Sequence, residues 1–243
     1  TQWGKDFGGP DLDFAYFFDQ TNDGGYIIAG STQNYGAGAY DIYLLKTDSS
    51  GNIQWTKTFG GAQQDEPCYV KQTADGGYII AGNTESFGAG DWDFYLLKTD
   101  AAGNLTWSKT YGGSGQDNAT SAVQLNDGGY VMAGTAIGFT TATVNSYVVR
   151  TAASGDTLWT KIFQMPGFYH THWVEKCSDG GFVIVGRGTN SVTMTDDIYL
   201  VKFDANGALE WAKQSGETEA TDAEYIMQTS DGGFIISGLW KPP

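Results

Sequence analysis

The strongest constraint on how this chain can fold is a repeat of fixed length. Asp-Gly-Gly followed by Tyr or Phe begins at Asp23, Asp75, Asp127, Asp179 and Asp231, a constant step of 52 residues. Trp3, Trp55, Trp107, Trp159 and Trp211 keep the same register, and two positions after each stands Lys5, Lys57, Lys109, Lys161 or Lys213. The repeats run 3–54, 55–106, 107–158 and 159–210, with a partial fifth at 211–243. A period of this length without insertions means that one supersecondary unit is stacked on copies of itself, each burying apolar surface against its neighbours. The 243 residues therefore read as a single domain, 1–243.

Each repeat holds four β-type segments, as in Gln54 to Phe59, Cys68 to Thr73, Tyr78 to Ala81 and Phe94 to Thr99, and no helical periodicity. The second and third meet at Asp75-Gly76-Gly77, where glycine supplies the positive φ of a tight hairpin. Near-continuous apolar runs such as Tyr78-Ile79-Ile80-Ala81 indicate strands covered on both faces. A parallel β-helix would have shorter coils without two tight hairpins each. The expectation is an all-β, five-bladed β-propeller of four-stranded antiparallel blades. Its last blade is closed by both termini, with Trp3 on the outer strand beside residues 221–238, and is one strand short, because nothing after Gly238 matches Phe94 to Thr99.

The pattern Trp55-Thr56-Lys57-Thr58-Phe59-Gly60-Gly61, then Asp65, then Asp75 to Gly82, then Tyr95 to Asp100 with Gly103-Asn104, resembles the β-propeller repeats of bacterial and archaeal surface and secreted proteins. The resemblance covers the whole chain. It implies an extracellular or cell-surface propeller and no defined activity.

Composition narrows the partners. With 13 Lys+Arg against 28 Asp+Glu, the net charge of −15 repels a phosphate backbone, so nucleic acid is not an expected partner. No apolar run approaches the ~18 residues of a membrane helix. Cys68 and Cys177 occupy non-equivalent repeat positions and read as unpaired, packed thiols. Most of the 35 glycines recur from repeat to repeat and read as turn and packing devices. The Lys5 series and the series Lys46, Lys98, Arg150 and Lys202 are expected to pair with repeated acids such as Asp48 and Asp100, or Asp41 and Asp93.

What varies between repeats is one set of long connections, acidic and interleaved with aromatics. Loops on a rigid scaffold are where binding resides. The ligand-binding candidates there are Asp65, Glu66, Asp91, Trp92 and Asp117, together with His170, His172 and Trp173 from the aberrant fourth repeat. Carboxylates beside aromatic rings suit sugars. His170 and His172 share a strand face and with a third ligand such as Glu175 suit a metal. Oxygen clusters such as Asp91-Trp92-Asp93 and Asp196-Asp197 suit calcium, the one ion expected, and no organic cofactor is indicated. No nucleophile-elbow, zincin, Walker or dinucleotide motif is present. A glycosidase would use funnel carboxylates such as Glu66, Glu175 and Glu224, or Asp13, Asp65 and Asp117. The last three share one repeat position, which favours a structural role. The leading expectation is a secreted or cell-surface, non-enzymatic interaction module that contacts proteins or surface glycans and self-assembles through its incomplete blade. A lectin with repeated rim sites is the alternative, and a glycoside hydrolase comes after it.

Overall fold

The computed structural model describes residues 4–137, 144–163, 168–189, 196–215 and 221–240 of the chain, with residues 168, 169, 221 and 240 described by their backbone alone. Among these residues every element is a β-strand. The first sheet is β1 (Asp13–Gln20), β2 (Tyr26–Thr32), β3 (Asp41–Thr47) and β4 (Ile53–Phe59). The second is β5 (Asp65–Gln72), β6 (Tyr78–Thr84), β7 (Asp93–Thr99) and β8 (Leu105–Tyr111). The third is β9 (Asp117–Gln124), β10 (Tyr130–Ile137), β11 (Val144–Thr151) and β12 (Thr157–Phe163). The fourth is β13 (Phe168–Lys176), β14 (Phe182–Thr189), β15 (Asp196–Phe203) and β16 (Leu209–Gln214). The fifth pairs β17 (Thr221–Gln228) with β18 (Phe234–Trp240). Each sheet is an antiparallel meander in chain order, which removes the parallel β-helix.

The sheets are phased differently from the sequence repeat. The tryptophan strand, β4 in the first sheet, closes the sheet that precedes it. The expectation that Trp3 completes the fifth sheet falls outside the described residues. The chain forms two compact units, Thr1–Ala119 and Thr120–Pro243.

The repeated residues do structural work at defined points. At each Asp-Gly-Gly turn the first glycine has positive φ, as at Gly24 (79°) and Gly76 (83°), and in the first four turns a Cβ on the second would collide with the main chain, as Gly77 with the Thr99 carbonyl. The Lys46 series pairs with this turn's aspartate, not with Asp48 or Asp41. Lys46 Nζ meets Asp23 at 2.9 Å, Lys98 meets Asp75 at 2.9 Å, Arg150 meets Asp127, and Lys202 meets Asp179 at 2.9 Å and Glu210 at 3.0 Å. The reason is reach. A cation on the third strand points across to the hairpin of the first two, which lies over its ammonium group. Asp48 and Asp100 instead close their own turns onto Asn52 and Asn104, and those asparagines receive Lys5 and Lys57.

The tryptophans join sheets. Trp55 packs edge-on against Tyr78 of the next sheet at 5.6 Å, Trp211 meets Phe234 edge-on at 6.0 Å, and Trp159 stacks on Phe182 at 6.3 Å. In the first unit one core runs between Ile27, Ala29, Ile42 and Leu44 of the first sheet and Val70, Ile80, Tyr95 and Leu97 of the second. In the second unit, Val131 and Val148 pack on Ile184 and Val201, and Val183 and Val185 on Ala223 and Ile226. Both faces of the inner strands β6, β7, β10 and β11 are covered, so these lack the alternation of a one-sided sheet, whereas β1 and β18 keep an exposed face. Cys68 and Cys177 are free thiols, and burial pushes them up to about 12 and about 11, so both stay protonated near neutrality.

Candidate functional site

Four of the first strands carry a β-bulge at the same repeat position. The register shifts between Ala15 and Phe17, Pro67 and Tyr69, Thr171 and Trp173, and Ala223 and Tyr225. The extra residues are therefore Tyr16, Cys68, His172 and Glu224. A bulge frees one residue from the ladder and re-aims its side chain. Opposite each bulge lies a glycine of one recurring series, and a Cβ on Gly30, Gly82, Gly186 or Gly238 would strike the carbonyl of Phe14, Glu66, His170 or Asp222. That series exists because the bulged strand presses its backbone against its neighbour.

In the second unit, two bulged residues come together. His172 of β13 lies between two acids of β17, with Nε2 at 3.4 Å from Asp222 Oδ1 and Nδ1 at 3.7 Å from Glu224 Oε2. One ligand atom from each of the three fits within a 4.8 Å sphere of mutual distances. Arg187 of β14 donates to Asp222 Oδ2 at 3.2 Å and reaches Asp196 Oδ2 at 3.9 Å. Thr189 fixes the other Asp196 oxygen at 2.9 Å. His170 stands 6.3 Å from the His172 ring, and burial, then Arg187 and His172, lower its pKa, favouring the neutral imidazole. Beside the cluster the Trp173 ring tilts onto Tyr225 at 4.7 Å, and Tyr225 is 38% exposed. Three buried polar atoms here, His172 Nε2, Asp222 Oδ1 and Arg187 Nε, have no hydrogen-bond partner. Buried donors and acceptors left in this state are costly, and a ligand that engages them recovers that cost.

The sequence candidates separate into two places. His170, His172 and Trp173 lie in this cluster of the second unit. The expected third ligand, Glu175, is not brought to His172 and sits beside Trp173 Nε1 at 3.4 Å. Asp222 and Glu224 instead arrive at His172 from the adjacent sheet. Asp65, Glu66, Asp91, Trp92 and Asp117 lie in the first unit. Asp65 and Asp117 are fully buried and are not exposed rim ligands, because each folds back to accept the amide of Gly61 or Gly113. Asp91 is exposed, and Trp92 is half-buried, with its backbone bridged to Gln116. Glu66 is half-buried on β5, and burial together with Glu85 raises its pKa. In the sequence Asp222 and Arg187 belong to the variable connections but were not singled out as ligand-binding candidates, and the signal for Asp222 was the repeat itself. Phe14, Glu66, Asn118, His170 and Asp222 share one repeat position, and Tyr16, Cys68, Thr120, His172 and Glu224 share another.

No protein-family model matches the chain, and no curated protein matches it. Among solved structures the chain is similar to an endo-arabinase from Bacteroides thetaiotaomicron VPI-5482, at 13% identity over 96% of this chain and 92% of that one, with a TM-score of 0.53. It is also similar to BBS1N in complex with ARL6DN, at 14% identity over 95% and 67%, with a TM-score of 0.49. At such identities the likeness to the first speaks to fold alone. It agrees with the strand pairing: the chain has an all-β, propeller-like fold of antiparallel, four-stranded sheets.

Proposed function

We propose that this protein is an extracellular or cell-surface binding module on a five-bladed propeller, and that it recognises a hydroxyl-rich ligand such as a glycan at the His172–Arg187–Asp222–Glu224 cluster. The observation that carries this reading is the convergence of an imidazole, a guanidinium and two carboxylates, with three buried atoms that make no hydrogen bond within the chain. Vicinal hydroxyls both donate and accept, so an Asp–Arg couple meets them with complementary groups. The exposed face of Tyr225, braced by Trp173, offers an apolar platform for a sugar ring. A lectin with a site in every repeat is disfavoured, since the matching positions elsewhere are Phe14 with Tyr16, Glu66 with Cys68 and Asn118 with Thr120. Among the described residues the module carries one such site.

The test is a glycan array followed by calorimetry on the best hit. A stoichiometry near one, abolished by Asp222→Ala, supports the module. No glycan binding, or binding indifferent to Asp222, overturns it. A second reading has its own support: Asp196 and Asp222 flank one arginine, and the likeness in fold is to a glycan-cleaving enzyme by its printed name. Turnover of arabinan oligosaccharides that vanishes in both Asp196→Asn and Asp222→Asn would establish hydrolysis in place of simple binding.

A further inference from the structure

The joints between neighbouring sheets of the first unit bury carboxylates in pairs. Asp41 at the start of β3 and Asp65 at the start of β5 are 1% and 0% exposed, and Asp93 of β7 and Asp117 of β9 repeat them at 1% and 0%. Both pairs close on a glycine. A Cβ on Gly60 would collide with Asp41 Oδ1 and lie 2.7 Å from Asp65 Oδ2, and one on Gly112 would collide with Asp93 Oδ1 and lie 2.5 Å from Asp117 Oδ2. The two carboxylates of a pair thus approach a single point.

One oxygen of each acid is fixed by donors. Asp41 Oδ2 accepts the Ala37 and Gly38 amides, both at 2.9 Å, and Asp93 Oδ2 accepts those of Ala89 and Gly90 at 2.8 and 3.0 Å. Asp65 Oδ2 accepts Gly61 N at 2.8 Å and Ser86 Oγ at 2.7 Å, and Asp117 Oδ2 accepts Gly113 N at 2.6 Å. The second oxygens of Asp65 and Asp117 are buried with no donor. Among the described residues no lysine, arginine or histidine ion-pairs with any of the four. Two buried like charges without a counter-charge are strongly unfavourable, and oriented backbone amides do not cancel both.

We infer that each pair is a binding site for a hard divalent cation, calcium by its all-oxygen ligands, so that the first unit carries two such sites. The Gly61 and Gln63 carbonyls crowd Gly38 at the first joint, as Gly113 and Gly115 crowd Gly90 at the second, which places further oxygens within the same turns. The remaining joints serve as internal controls. Asn145 and Tyr169 hold the two positions at the third and Asp197 and Thr221 at the fourth, so neither combines two carboxylates, and Gln164 stands where Gly60 and Gly112 would be at the third. At the second joint burial outweighs the Gly113 amide and, with the Asp93 charge, raises the Asp117 carboxyl to about 6.

The test uses the full chain, stripped with a chelator and titrated with calcium at pH 7.5 by calorimetry, with terbium luminescence as a parallel probe. Two sites per chain are expected, one lost in Asp65→Asn, the other in Asp117→Asn, and both retained in Asp222→Asn, which separates these sites from the glycan cluster. If an asparagine variant fails to fold, hydrogen exchange in the parent chain decides: calcium should slow the Gly61 and Gly113 amides at least tenfold. No calcium binding up to millimolar concentration, or sites lost with Asp222 and kept without Asp65 and Asp117, overturns the inference. So does unchanged exchange at both glycines, which would mean that each pair is neutralised by a shared proton.

Discussion

In the first unit, the joints between sheets hold carboxylates two by two, Asp41 with Asp65 and Asp93 with Asp117. The second unit keeps the scaffold, turns and bulges of the first, yet Asn145 with Tyr169 and Asp197 with Thr221 occupy those positions, and its charged residues gather on β13, β14 and β17. One repeat length therefore supports two electrostatic designs. In the first unit acids are buried where sheets meet and act on stability. In the second they sit half-exposed on first strands beside a histidine and an arginine, where they act on ligands. The difference teaches that a repeated acid is not structural or functional by type; its neighbours and burial decide.

That contrast can be broken most sharply at Gly112. A Cβ there would collide with both Asp93 Oδ1 and Asp117 Oδ2. Gly112→Ala should destabilise the chain by about 3 kcal/mol, lowering the thermal midpoint by roughly 10 °C. A midpoint within 2 °C of the parent would show that the close approach of Asp93 and Asp117 is not rigid. Next in size is Arg187→Ala, which strips the shared counter-charge from Asp196 and Asp222. It should weaken ligand binding at least thirtyfold, about 2 kcal/mol, with an almost unchanged melt. A large fall in the melting temperature instead would move this cluster into the structural class.

A smaller effect follows from Asp117. Its carboxyl binds a proton more tightly in the folded chain than in the unfolded one, so its contribution to stability is greatest at low pH and is lost as pH rises through about 6. The cation-free protein should melt at a higher temperature at pH 5 than at pH 7.5, and Asp117→Asn should flatten that slope. Melting curves at both pH values decide it. Smallest is the opposite trend from the turn aspartates. Asp23 is held at about 2 by the Thr21 hydroxyl, Lys46 and the Gly25 amide, and Asp75 reaches about 2 because Thr73, Lys98 and the Gly77 amide outweigh its burial. Their stabilisation is present above pH 4 and fades as pH falls toward 2. Both side chains are more than half exposed, so the loss per turn is modest. Asp75→Asn should reduce the acid sensitivity of a pH 4 to pH 2 melting series.

The architecture was legible because its signal repeats. Asp-Gly-Gly marked the hairpins, and the tryptophan register marked an inter-sheet anchor seen at Trp55, Trp159 and Trp211. Phasing was not legible, since a period fixes the length of the unit and leaves open which strand begins a sheet. The ion-pair partners of Lys46 and its equivalents were misjudged for a related reason. Pairing with Asp23 links the third strand to the first hairpin, and nothing near Lys46 in sequence shows that proximity. His170 and His172 stood out as departures from the pattern. Their partnership with Asp222 and Glu224 did not, because Glu224 stood out only as a funnel carboxylate and Asp222 as one of 28 acids until the bulge register placed both opposite His172.

The recurring bulge also separates two kinds of change during divergence. Tyr16, Cys68, His172 and Glu224 stand outside the ladder's side-chain alternation, and the glycine across the strand absorbs the backbone displacement whatever side chain is present. Such positions can be rewritten one at a time while the turns, anchors and cores that specify folding stay untouched. A chain built this way acquires new binding chemistry by exchanging single letters in a fixed alphabet of slots, and duplication of a repeat delivers each new slot already aimed.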